Sequence, residues 1–363
     1  MFDERVEKIR NIVRSAKADA FLLLNHELSG QPGTRYLSGF SGSESILVIT
    51  ESEKFILADG RYFLQAQEEC PDFQLVKVER FSHLEALAKV CRASSLKTVV
   101  IDGARTSYHS VSKLSEVIHD VVIISKNDVL QEIRAVKDDA EIMELQRAAR
   151  IACGAFERFL PYLREGLTEK ELAVKLEFLM KEGGAEQVAF EVIVASGANG
   201  AKPHGKPTEK KIKRGELITF DFGCFSNGYA SDMTRTVALG NVSPALAKIY
   251  EVTKTAQELG CKAAKAGITG KELDAVCRDY IATKGYGEYF LHSAGHGLGM
   301  EVHELPYVSS KNEKPLPENA VVTIEPGIYI EGLGGVRIED SLVLKRNGNI
   351  NLSEKISKEL ITI

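Results

Sequence analysis

The stretch from Leu217 to Val237, LITFDFGCFSNGYASDMTRTV, constrains the fold more than any other part of the chain. Two runs with strand character, Leu217–Phe222 and Asp232–Val237, flank Asn227-Gly228. A type I′ hairpin turn needs positive φ at both central residues, and Asn-Gly is the pair that meets this at least cost. With that turn Ser226 pairs with Tyr229, and counting outward sets Gly223 opposite Asp232. Asp221 lies two residues from Gly223 and so points to the same side as Asp232. Diagonal neighbours of this kind sit roughly 7–8 Å apart, close enough for two carboxylates to converge on one ion or a pair of ions. The neighbours Ile218, Phe220, Phe222 and Met233 predict a buried hairpin. Buried carboxylates side by side repel unless something positive lies between them. On this stretch alone, an exposed hairpin with two solvated aspartates is the alternative.

The 363 residues suit two domains. The net charge of −5 argues against a partner held mainly by charge, either nucleic acid or an anionic membrane. No apolar run is long enough to span a bilayer, and the opening MFDERVEKIRNIV reads as an amphipathic helix rather than a signal peptide. Six scattered cysteines without a CxxC pair predict free thiols in a reducing cytoplasm. Cys224, beside the acidic hairpin, is read as a packing residue.

Residues 1–130 alternate helix and strand signals, which predicts an α/β domain. Helices are expected at Glu4–Ala18, from Asp59-Gly60-Arg61-Tyr62 to Glu69, at Phe81–Ala93 and at Ser110–Ile118. Strands are expected at Ala20–Asn25, Ser45–Thr50, Lys54–Ala58, Thr98–Asp102 and Val121–Ser125. Asp59 and Arg61 read as a turn and a surface charge, and His26, His83, His109 and His119 lack ligand spacing. The charged run Asn127–Asp139 marks the boundary to a second domain, residues 131–363. That domain opens on a helix from Asp138 to Arg164 with one apolar face. Thr168 with Glu171 forms a capping box for a second helix, ending at Gly183-Gly184. A strand at Glu191–Ala195 leads into SGANGAKPHGKP, and the basic run Lys206–Arg214 reads as a solvated loop. After the hairpin come helices at Pro244–Ala266 and Gly270–Lys284, then loops and strands. Two helices followed by strands, twice over, hint at an internal duplication.

Further chemistry-bearing residues lie in that last third. His292 and His296 stand four apart in a Gly-rich stretch that suits a bend or strand. His303 follows in EVHELP, Glu325 ends the apolar run VVTIEPG at a Pro-Gly stop, and Arg337 and Glu339 share a strand face in GVRIED. As a set, Asp221, Asp232, His296, Glu325 and Glu339 balance two divalent ions: four carboxylates against a charge of +4, with one neutral imidazole. Oxygen-rich ligation with one nitrogen suits Mn²⁺, Co²⁺, Fe²⁺ or Zn²⁺. Such a pair lowers the pKa of a shared water and polarises a carbonyl.

These motifs resemble those of the metal-dependent "pita-bread" peptidases, the superfamily of methionine aminopeptidase, aminopeptidase P, prolidase and creatinase, over the whole chain. YLSGFSGS (Tyr36–Ser43) and DGRYFLQAQ (Asp59–Gln67) resemble the creatinase-type N-terminal domain; TFDFG, SDMTRT, HSAGHGLG, TIEPGIY and VRIED resemble the catalytic domain. The resemblance implies a creatinase-type α/β domain followed by an α+β pita-bread domain. It implies that Asp221, Asp232, His296, Glu325 and Glu339 hold two divalent ions, Mn²⁺ first, with none of the five substituted. It further implies a bridging hydroxide as nucleophile, Glu325 as proton shuttle, His303 and His204 beside the oxyanion or the proline residue, His292 shaping the pocket and Arg337 organising Glu339 and nearby substrate or carboxylate contacts. The two-domain form points to an Xaa-Pro exopeptidase acting on short peptides with proline second, as a cytoplasmic homodimer. Aminopeptidase P is favoured over prolidase on GFSGS and DGRY. A creatinase-like metal-free hydrolase and an inactive binding module are disfavoured because the acidic set is intact.

Overall fold

A computed structural model describes residues 2–27, 32–80 and 82–363. The chain divides into two compact units, Met1–Ile133 and Arg134–Ile363. In the first unit the elements are α1 (Phe2–Ser15), β1 (Ala20–Asn25), α2 (Gly33–Ser38), β2 (Ser45–Thr50), β3 (Lys54–Asp59), α3 (Phe63–Glu69), β4 (Gln74–Val78), α4 (His83–Ala93), β5 (Thr98–Asp102), α5 (Tyr108–Val117), β6 (Val122–Lys126) and α6 (Val129–Arg134). The strands form one mixed sheet in the order β4-β3-β2-β1-β5-β6. The central strands β1 and β2 are buried along their whole length, the pattern of a sheet covered on both faces. Neither α2 nor β4 is expected from the sequence: α2 is a six-residue turn of helix, and β4 is a five-residue strand in which only Val78 is buried. The expected start of α4 at Phe81 lies outside the described residues. Asp59 and Arg61 do form a turn, closed by Tyr62 N on the Asp59 carbonyl, and Arg61 is exposed, but the two are more than a turn and a surface charge. Asp59 is buried, and Arg61 binds it together with Glu27 and Glu44.

The second unit begins with α7 (Asp139–Phe159), α8 (Glu169–Glu182), β7 (Gln187–Val188), β8 (Ile193–Ser196), β9 (Glu216–Phe222), β10 (Cys224–Ser226), β11 (Tyr229–Ala230) and β12 (Met233–Leu239). Then follow α9 (Pro244–Ala263), α10 (Gly270–Thr283), β13 (Gly295–Gly297), β14 (Glu304–Val308), β15 (Val321–Ile324), β16 (Gly327–Ile330), β17 (Gly334–Arg337), β18 (Asp340–Lys345) and β19 (Gly348–Asn351). Capping boxes start α7 (Asp138, Glu141), α8 (Thr168, Glu171) and α10 (Thr269, Glu272). α7 stops at Phe159, short of the expected Arg164. Pro161 follows, and its missing N–H and ring allow only a 3₁₀ turn, Leu160–Tyr162.

Two cores organise this unit. In the first, Phe156, Phe159, Leu172 and Leu176 of the α7/α8 pair pack on Phe220 and Phe222 of β9. In the second, Ile249, Leu273 and Ile281 of the α9/α10 pair pack on Ile324, Val336 and Leu342. Each pair repeats one device: a capping threonine, Thr168 or Thr269, bridges to a distant strand-like residue, Lys211 or Pro315. The hairpin has the register counted outward from its turn, with Ser226 opposite Tyr229 and Asp221 opposite Thr234. Asn227 (φ 48°) and Gly228 (φ 76°) both take positive φ. At Gly223 the hairpin breaks. A Cβ there would strike the Ser231 carbonyl, so β9 and β12 pair in one sheet and β10 and β11 in another.

Candidate functional site

The nine side chains singled out in the sequence all line one cavity of about 460 Å³. Most of them sit where a strand is interrupted. Asp232 lies between β11 and β12, His296 in the middle of three-residue β13, Glu325 between β15 and β16, and Glu339 between β17 and β18; Asp221 is on β9. Two of these breaks correct the sequence reading. Pro326-Gly327 does not end the chain's extended run: Gly327 opens β16, in a different sheet from β15. Arg337 and Glu339 do not share one strand, because β17 ends at Arg337. Both nevertheless reach the cavity.

Three groups converge. Ligand atoms of Asp232, His296 and Glu339, all buried, lie within 4.8 Å of one another. Nε2 of His296 is 3.6 Å from Asp232 Oδ2 and 3.3 Å from Glu325 Oε1. Nδ1 of the same ring faces the Gly297 carbonyl at 3.1 Å. A carbonyl only accepts, so the hydrogen-bond network assigns the proton to Nδ1 and leaves a lone pair on Nε2. That lone pair points at two carboxylate oxygens. Burial presses the imidazolium form of His296 down, so protonating Nε2 is a poor remedy.

The carboxylates face the same difficulty. Burial raises Asp232 well above the ordinary range, and Glu339, Asp221 and Glu325 add to it by repulsion. Burial, then Glu325 and Asp221, raises Glu339, and burial raises Glu325. Asp221 Oδ1 is buried without a hydrogen-bond partner. Carboxylates, one imidazole nitrogen and an orphaned oxygen form a donor set that a divalent cation satisfies. An Nδ1–H bonded to a backbone carbonyl is the usual support for a metal-binding histidine.

Arg337 reaches Glu339 through Thr234 and binds the nearby Asp221 carboxylate itself. Its Nη2 donates to Asp221 Oδ2 (2.6 Å) and its Nε to Thr234 Oγ1 (3.2 Å), while Thr234 Oγ1 donates to Glu339 Oε2 (2.7 Å). Arg337 Nη1 donates to Tyr329 Oη (2.9 Å), which lies 2.8 Å from His292 Nε2, and His292 Nδ1 faces the Ser293 carbonyl (2.8 Å). The chain of donors runs one way, from Arg337 through the Tyr329 hydroxyl to a neutral His292, and burial keeps that imidazole neutral. Sequence reasoning missed Tyr329, Thr234 and Thr323, whose Oγ1 accepts from His296 N (3.0 Å). Tyr329 alone carried a signal, since it lies two residues beyond Gly327 on an alternating strand.

His303 is exposed to the cavity and its ring packs on His296, centroids 4.1 Å apart. Burial, then the neighbouring His296, lowers its pKa. The next residue, Glu304, is buried against Arg134 (2.6 Å) and Lys137 (2.9 Å), which pins the start of β14. His204 is exposed on the loop between β8 and β9. Cys224 packs: its thiol donates to the Ala148 carbonyl and burial pushes its pKa up to about 11.

The profile of metallopeptidase family M24 matches residues 143–346, and that of the creatinase/prolidase N-terminal domain matches residues 5–136. The Xaa-Pro dipeptidase of Pyrococcus horikoshii is 37% identical over 363 residues, 99% of either chain. Among solved structures, the Xaa-Pro dipeptidase from Bacillus anthracis superposes with a TM-score of 0.96 at 38% identity, covering 100% of both chains. The X-Pro aminopeptidase from Thermotoga maritima superposes with a TM-score of 0.92 at 41% identity, covering 99% of this chain and 100% of that one.

Proposed function

Since the chain belongs to metallopeptidase family M24 and carries a creatinase/prolidase N-terminal domain on a pita-bread catalytic domain, we propose that it is an exopeptidase that hydrolyses the bond between an N-terminal residue and a following proline. The observation that carries the metal dependence is the unprotonated Nε2 of His296, aimed at Asp232 and Glu325. Asp221, Asp232, His296, Glu325 and Glu339 would hold two divalent ions, Mn²⁺ first, with Co²⁺, Zn²⁺ and Fe²⁺ sharing the same donor preference. When bound, such ions acidify water and polarise a carbonyl.

The remaining work falls to the chain's own groups. Prolyl nitrogen leaves as a secondary amine and has to be given a proton. Glu325 is the carboxyl for that task, because it lines the cavity beside His296 and a carboxylate so placed can take up a proton and hand it on. His303 and His204, on the open side of the cavity, can donate N–H to the oxygen that becomes negative. Arg337 is less suited to this, since four of its five N–H groups are engaged with Thr234, Pro203, Tyr329 and Asp221. Its part is to hold Asp221 and, through Tyr329, to orient His292. Phe190, Ile193, Pro203, Pro207 and Val302 give the cavity an apolar wall for the pyrrolidine ring.

GFSGS and DGRY favour the aminopeptidase P form, while relatives named for each activity match the whole chain. The test is hydrolysis by Mn²⁺-loaded protein of an Xaa-Pro dipeptide and an Xaa-Pro-Yaa tripeptide, side by side. Cleavage of either at the Xaa-Pro bond supports the reading. Cleavage of neither, with metal bound, sinks it. We carry a homodimer with this reading, to be checked by light scattering on the eluting protein. All six cysteines are free thiols, which supports a cytoplasmic location.

A further inference from the structure

A peptide's carboxylate entering this cavity would seek a cation, and Arg337 is already committed to four acceptors. Among the described residues lining the cavity, Lys206 is the other cationic side chain apart from the histidines. Its Nζ lies 2.8 Å from Glu191 Oε2, and the two side chains are 79% and 64% exposed. An ion pair so open to water is weak, so Nζ can turn to a better-placed carboxylate at little cost.

The loop under Lys206 is firmly held. Glu169, fully buried in the first turn of α8, accepts from Ser196 N and Oγ, from Asn199 Nδ2, and from Thr208 N and Oγ1. Both ends of the segment from Ser196 to Thr208 are therefore tied to one carboxylate. Gly205 N closes on the Lys202 carbonyl, and Pro207 fixes φ beside the lysine. Lys206 is a flexible point charge swinging from a fixed base, next to the apolar wall that suits a proline ring.

We propose that Lys206 is a specificity-determining residue that exchanges Glu191 for the carboxylate of the substrate's proline, so that Xaa-Pro dipeptides are preferred over substrates whose proline carbonyl is blocked. This rests on the Xaa-Pro reading above and, of its two forms, takes the dipeptidase against the aminopeptidase P form that GFSGS and DGRY favour. It also reassigns part of the basic run that the sequence suggests is merely a solvated loop.

The experiment compares Mn²⁺-loaded full-length wild type, Lys206→Met, Lys206→Arg and Glu191→Gln on Ala-Pro, Ala-Pro-amide and Ala-Pro-Ala. It also measures inhibition by L-proline and by prolinamide. One hydrogen bond to a charged group corresponds to roughly ten-fold. Lys206→Met should raise KM for Ala-Pro and the inhibition constant for proline by about that factor, with kcat for Ala-Pro held within about two-fold. Values for the amides should stay close to wild type. Lys206→Arg should recover most of the loss, and Glu191→Gln should lower KM for Ala-Pro by freeing the lysine. An unchanged KM for Ala-Pro in Lys206→Met, or an equal change for the amide, overturns this inference while wild-type cleavage leaves the Xaa-Pro reading standing. Wild type that cleaves none of the three overturns both.

Discussion

Arg235 offers the sharpest test of how the catalytic unit holds its site. The residue sits on β12, paired across from Phe220, and is only 1% exposed. Its Nη2 donates to Asp340 Oδ1 (2.8 Å) and to the Ile356 carbonyl (2.8 Å), its Nη1 to the carbonyl of Glu339 (2.6 Å), and its Nε to that of Ser357 (3.2 Å). Asp340 is itself fully buried, with Lys358 2.6 Å from its other oxygen. Burial works against the Asp340 charge, yet Arg235 and Lys358 together hold the carboxyl well below its usual range.

Arg235→Met keeps much of the volume and removes every one of these donors. Removing one partner of a buried pair costs about 3–5 kcal/mol. Lys358 still neutralises Asp340, which favours the lower end; the carbonyls left without donors favour the upper. For a unit of this size each kcal/mol moves Tm by about 2–4 °C, so the transition should fall by about 6–20 °C. The chain has no tryptophan, so the natural assay is scanning calorimetry of the full-length protein, metal-loaded and stripped. Asp340→Asn and the double variant complete a cycle, and the pair should couple by about 2 kcal/mol or more. Metal affinity should fall too, because Glu339, which converges with Asp232 and His296, loses the anchor on its carbonyl. A loss below about 1 kcal/mol, or single effects that simply add, would refute the idea that one guanidinium fastens β12, the Glu339 turn and the C-terminal segment together.

Three other outcomes are expected. Asp232→Asn should abolish hydrolysis and lower bound metal by elemental analysis, whereas His303→Ala should reduce kcat by roughly 10²-fold with metal stoichiometry intact; loss of metal in the second variant would mean His303 is a ligand. Gly295→Ala should strip metal and destabilise the protein, since a Cβ there would run into the Thr323 carbonyl and displace His296; normal metal content would contradict this. The buried Asp232, Glu339 and Glu325 have raised pKa values, so in metal-free protein their charged forms destabilise the fold increasingly as pH rises through those values. The rise in Tm on adding Mn²⁺ should therefore be larger near about pH 7.5 than near about pH 5.5, and an equal gain at both would count against charge relief as its source.

The parts of the fold legible in the sequence are those set by short-range chemistry. Asn227-Gly228 determined the register of β9 with β12 because only one turn type serves that pair. The capping box at Thr168 marked a helix start because its side chain bonds backbone three residues away; the structure shows the same device at Asp138 and Thr269. What stayed hidden is held by distance. Glu169 looks like any acidic residue in a first turn, yet it ties down a loop some 30 residues later. Asp59 and Arg61 look like surface charge until Glu27 and Glu44 are brought beside them.

The site lies between these extremes. Its chemical groups were legible only as a set: four carboxylates and one imidazole balance two divalent ions, and the motifs around them resemble those of one family. Its wiring was not, because Thr234, Tyr329 and Pro203 are ordinary residues that matter only through Arg337. That wiring sets Asp221 apart from the converging groups. Asp232, His296 and Glu339 already converge. Asp221 is held back: Oδ2 is bonded to Arg337 and Oδ1 has no hydrogen-bond partner. The guanidinium thus offsets one negative charge in the buried cluster while leaving one oxygen of that carboxylate free to bind a cation.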